Sequence, residues 1–134
     1  MNSTDTTETN DSVIEREIQA SGKTAPRVTP ADLQANIVSE HYFTAMDGVA
    51  GYWCLGSDSP LHATPASPAD CVSLNLLTFC VLVLRNGFTV TGESACASPE
   101  NFDAEIGRKI ARQNAVQKIW PLMGYALKQK LSEA

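Results

Sequence analysis

The sequence predicts an α+β domain. A small antiparallel sheet built on a β-hairpin over about 76–95 packs with an N-terminal helix over about 30–46 and a long C-terminal helix over about 99–131. Three observations carry this. The apolar run Leu76 to Leu84 and the run Phe88 to Ala95 flank Arg85-Asn86-Gly87, and Asn-Gly between two such runs is the strongest short-range hairpin signal. Thr29-Pro30-Ala31-Asp32 supplies a capping threonine, a proline suited to the first helical position and an acid near the positive end of the dipole. From Ser98-Pro99-Glu100 or Asn101 onward, apolar residues recur at helical spacing to about residue 131, with Pro121 expected to kink the run.

The elements follow in chain order. Residues 1–11 are polar and nearly free of apolar side chains, which predicts a disordered tail ahead of a single domain over 12–134. Val13, Ile14 and Ile18 share one side of a short helix from Ser12 to Ala20, with Gly22 as its C′ residue. Residues 23–28 form a linker, because Pro26 forces Ala25 out of the helical region. Leu33, Ile37, Glu40/His41 and Thr44 then share a helix face, and Asp47-Gly48 ends that helix. Tyr52-Trp53-Cys54-Leu55 reads as a short strand, and Ser57 to Asp70 as an exposed loop. On the first hairpin strand Thr78, Cys80, Leu82 and Leu84 face one way and Phe79, Val81 and Val83 the other. Both faces are apolar, so both are expected to be covered, by the protein's own helices or by another subunit. On the second strand Thr89, Thr91 and Glu93 form a polar face that could border a pocket.

Composition narrows the function classes. Ten Lys and Arg against fifteen Asp and Glu give a net charge of −5, which argues against sequence-independent duplex binding. No apolar run approaches the ~20 residues needed to span a bilayer. The N-terminus lacks a basic and an apolar segment and so is not a signal peptide, which points to an intracellular protein. Cys54, Cys71, Cys80 and Cys96 form no CxxC pair and lie at no ligand spacing from His41 or His62, so no metal site is expected. Cys54 and Cys80 read as small core residues. No Gly-x-Ser-x-Gly, Walker loop or Gly-x-Gly-x-x-Gly is present, and no catalytic residue is assigned.

The cations of the last helix stand out against this acidic background. Arg108 and Arg112 lie one turn apart on one face, with Lys109 beside them. One reading is a solvated face in which Glu105 pairs with Arg108; the other is a two-guanidinium clamp on phosphates. Gly107 costs about 1 kcal/mol in a helix relative to Ala, and close approach of a ligand or of a neighbouring helix accounts for it equally well. The apolar stripe of this helix is wide (Ile106 and Ile110, then Val116, Trp120, Met123 and Leu127), which favours self-association.

TPADLQANIVSEHYFT, NGFTVTGES and FDAEIGRKIA followed by NAV and KIWPL resemble a family of small tailed-phage and prophage proteins, over roughly residues 13–131. Within or beside that family fall the anti-Thoeris (Thoeris anti-defence, type one) nucleotide sponges. The resemblance implies a phage protein of the infected cell's cytoplasm that needs no cofactor and binds signalling nucleotides without cleaving them. The implied ligands are cyclic ADP-ribose isomers or cyclic di- and trinucleotides. It also implies a homo-oligomer, dimer to hexamer. Its phosphate-binding arginines fall on Arg108 and Arg112, with Arg27 a further match and Lys109 beside them. A base would stack on Phe79 or Phe88, and Thr89 and Thr91 would bond a ribose or base edge. The alternative is a phage structural or host-takeover protein acting through protein contacts.

Overall fold

The computed structural model describes residues 9–23, 25–56 and 63–134. It is α+β, and the chain divides into two compact units. Among the described residues, one comprises those up to Asn36 together with Trp120–Ala134, and the other those within Ile37–Ile119.

The first unit is helical. Helix α1, Asn10–Ala20, begins two residues before the expected start because the Thr9 side chain accepts the Ser12 amide hydrogen at 3.1 Å. Residues 1–8 of the predicted tail lie outside the described residues. The helix ends as predicted at Gly22, whose φ of +74° lets Lys23 and Gly22 donate back to Ile18 and Gln19. Helix α2, Pro30–Ala35, opens on a capping box in which the Thr29 and Asp32 side chains each accept the other's amide hydrogen. It buries Leu33. Arg27 donates through both terminal nitrogens to Glu15, at 2.6 and 2.7 Å.

The expected 30–46 helix stops at Asn36. Strand β1, Ile37–Thr44, follows it. Leu33, Ile37 and Thr44 satisfy a helical spacing, but Ile, Val, Tyr, Phe and Thr favour a pleated surface, and β2 offers them a ladder to join. Thr44 and Asp47 then form a second capping box, so Asp47-Gly48 begins helix α3, Ala45–Cys54, instead of ending a helix. Tyr52 to Cys54 belong to α3 and Leu55 is its C-cap; they are not a strand. Of the expected loop, residues 57–62 lie outside the described residues. Ser67 and Asp70 cap helix α4, Pro68–Leu74. The same Ser/Thr-x-x-Asp box thus starts three helices, twice with Pro at the first position.

Strands β2, Leu77–Leu84, and β3, Thr89–Ala95, form the predicted hairpin, with Gly87 at φ +87° in the turn. The sheet is antiparallel with order β1-β2-β3. A 3₁₀ turn covers Pro99–Asn101. The long helix α5, Ala104–Ser132, starts later than predicted, where Asp103 accepts the amides of Glu105 and Ile106. It runs on through Pro121.

The core of the second unit lies between α5 and one face of this sheet. Thr78, Cys80, Leu82 and Leu84 are buried, as are Ala111, Ala115, Val116 and Ile119 of α5. Gly92 makes the close packing possible: a Cβ there would collide with the Ala111 carbonyl oxygen and the Ala115 amide and stand 2.9 Å from the Ala115 Cα. Gly107 is explained the same way. Its neighbour is the sheet, since a Cβ would stand 3.2 Å from the Thr78 hydroxyl. The opposite face of β2 is only half-buried. Cys54, expected in the core, is exposed, and all four cysteines are free thiols.

Candidate ligand-binding site

The site is built on β1, the edge strand beside α5. Alternation along β1 puts Glu40, Tyr42 and Thr44 opposite Leu82, Cys80 and Thr78, on the face that meets α5. His41, assigned to a helix by its sequence, lies on this strand and faces the other way, with its Nε2 3.1 Å from the Ser39 hydroxyl. His62 lies outside the described residues.

Below Tyr42 opens a cavity of about 450 Å³. Tyr42 and Phe102 give it aromatic walls, Leu76 and Val72 extend the apolar surface, and Asn75 and Thr78 add polar groups. Arg108, from the second turn of α5, brings a cation to its lining. The expected Glu105–Arg108 pair is not formed. Glu105 instead lies 3.9 Å from Lys109, both well exposed. Among the described residues no carboxylate lies within ion-pair distance of Arg108. Asp47 also borders the cavity, but one of its oxygens is engaged in capping α3.

One turn on, Arg112 is held by Glu40. Its Nε and Nη2 donate to the two carboxylate oxygens, each at 3.0 Å, and the Tyr42 hydroxyl donates to the same carboxylate at 2.7 Å. The Arg112 hydrogen bond holds the Glu40 carboxyl below its ordinary range against the opposing effect of burial, and the Tyr42 bond adds to it. Burial, then Glu40, pushes the Tyr42 phenol up. Burial also raises the Cys80 thiol. At neutral pH the cluster is therefore a guanidinium, a carboxylate, a phenol and a thiol. Among the described residues no group of three or more His, Cys, Asp or Glu is placed to hold a metal.

The predicted site residues divide by location. Arg108 lines the cavity, Arg112 lies one turn further along α5 in its pair with Glu40, and Lys109 projects into solvent. Phe79 stacks on Phe43, with centroids 5.5 Å apart, on the sheet face turned away from α5. It lines a second cavity of about 450 Å³ with Tyr52 and Trp53. Thr89 and Thr91 are exposed on that same face, and Phe88 lies in the hairpin turn, 55% exposed. The sheet therefore separates Phe79, Thr89 and Thr91 from the two arginines. Arg27 belongs to the other unit, where it is tied to Glu15. Glu40, Tyr42 and Phe102 were not singled out from sequence. The alternation of Glu40, Tyr42 and Thr44 marks them only once β1 is read as a strand.

Among the described residues no helix is long and apolar enough to cross a membrane. No curated protein and no solved structure matches the chain. Residues 28–131 match the model of the phage protein (N4 Gp49/phage Sf6 gene 66) family, a span that includes β1, the hairpin and nearly all of α5. The chain belongs to that phage protein family.

Proposed function

We propose that this phage protein binds and sequesters a nucleotide second messenger in the cytoplasm of the infected bacterium, without cleaving it. The observation that carries the reading is the cavity below Tyr42, where an arginine with no ion-paired carboxylate among the described residues meets aromatic walls. A nucleotide presents a flat base and an anionic phosphate, and the matching groups are an aromatic surface and a guanidinium. About 450 Å³ is the size of a small-molecule site. The ligands that fit the resemblance are cyclic ADP-ribose isomers and cyclic di- or trinucleotides. Such a protein lowers the free messenger concentration and so keeps a Thoeris- or CBASS-type effector idle.

The same reading takes the protein as a homo-oligomer, dimer to hexamer. Ile106 and Ile110 support this, 55% and 42% exposed one turn apart on α5. The test is to incubate the protein with each nucleotide, remove it by filtration, and heat the retained fraction. Depletion followed by release of intact nucleotide is expected. No depletion of any of them would favour the protein-contact alternative, and a new product would indicate an enzyme.

A further inference from the structure

We infer that Glu40 is a built-in competitor for Arg112, so that a ligand already held at Arg108 engages Arg112 only if a second anionic group displaces Glu40. The inference rests on the proposed anion site at Arg108 and concerns what that site selects. Glu40 meets Arg112 side-on, through Nε and Nη2, with both carboxylate oxygens at 3.0 Å. That is the fork a phosphate uses on a guanidinium. A carboxylate bound there occupies the position a second phosphate would take, one helical turn from Arg108.

Three features suit Glu40 to yield. Its side chain keeps 35% of its surface in solvent, so it has a route to water when displaced. The Tyr42 hydroxyl bonds Glu40 from the side of its own strand, and Tyr42 lines the cavity. A ligand entering the cavity therefore meets the phenol that positions the carboxylate. Arg112 is half-buried and carried on a helix packed against the sheet, so its backbone is fixed while Glu40 lies on an edge strand. A ligand with one phosphate satisfies Arg108 and leaves the Glu40–Arg112 pair intact. One with two phosphates displaces Glu40 and gains a second charge-assisted fork.

Inorganic pyrophosphate and orthophosphate test this as probes, by calorimetric titration at low ionic strength. Glu40→Gln removes the competing charge and keeps the shape. It should bind pyrophosphate about tenfold more tightly than the unaltered protein and leave orthophosphate affinity unchanged. Tyr42→Phe should move pyrophosphate affinity the same way by a smaller factor. It serves as the second variant if Glu40→Gln lowers the unfolding temperature too far. A purely structural Glu40–Arg112 pair predicts unchanged or weaker binding in both variants, and that result overturns the inference. So does failure of either variant to bind pyrophosphate. The two readings fail separately: if the unaltered protein depletes nucleotides while neither variant tightens pyrophosphate binding, the sponge stands and the competitor does not.

Discussion

On the face of the sheet toward α5, alternate residues of β2 are sealed and a glycine brings helix and strand into backbone contact. On the opposite face the intervening residues of the same strand stay half-open. Both faces of β2 are apolar in sequence, yet only one became a core. The difference lies in the neighbouring strands. Gly92 and Val90 on β3 leave room for α5 on one side, whereas Thr89, Thr91 and Glu93 present polar groups on the other. Where the sealed face reaches the edge strand β1, Tyr42 lines the Arg108 cavity and bonds Glu40, which in turn holds Arg112. The site is therefore anchored to the rigid face, and this contrast orders the expected effects of mutation.

The largest effect is expected at Gly92. Gly92→Val places atoms where the α5 backbone lies, and should lower stability by about 3 kcal/mol or more, measured by chemical denaturation. Retained stability would mean that α5 does not pack as closely as described. Next comes Leu82→Ala, which empties a fully buried position and should cost about 2–5 kcal/mol. On the open face, Phe79→Ala should cost less than Leu82→Ala, and Thr91→Ala about 0.5 kcal/mol or less. Equal losses at Leu82 and Phe79 would erase the distinction between the faces. In nucleotide depletion the order is set by the cavity: Phe102→Ala should reduce binding and Phe79→Ala should preserve it.

A smaller effect is expected from pH in the helical unit. Arg27, with help from Gln19, holds Glu15 at about 2, against an ordinary 4.5. A carboxyl depressed in the folded state favours folding above 4.5, and that contribution disappears as pH falls from 4.5 toward 2. Glu40 acts with the same sign in the sheet unit, its contribution present at neutral pH and lost on acidification. Glu15→Gln should flatten the acid side of the stability profile, and an unchanged profile would count against the Arg27 pairing.

Much of the fold was readable because its signals are local. Asn86-Gly87 sets the hairpin turn, Thr29-Pro30 starts a helix and Gly22 stops one. What sequence misread depends on distant partners. Residues 37–44 carry a helix-compatible spacing, and only the ladder with β2 makes them a strand. The site inherited that error. Arg108 and Arg112 were visible as an i, i+4 pair, but the carboxylate that holds Arg112 lies 72 residues away on the misassigned strand. Phe79 and Phe88 were the aromatics the hairpin made conspicuous. Phe102, six residues before Arg108 in the sequence, lines the Arg108 cavity instead.

The most direct measurement of the central claim is nucleotide depletion by Arg108→Glu beside the unaltered protein, with the unfolding temperature of both recorded. Arg108 is exposed, so the variant should stay folded. The unaltered protein is predicted to deplete at least one cyclic ADP-ribose isomer or cyclic oligonucleotide, and the variant none. A folded Arg108→Glu protein that depletes the same nucleotide equally well would contradict the assignment of the phosphate to this cavity.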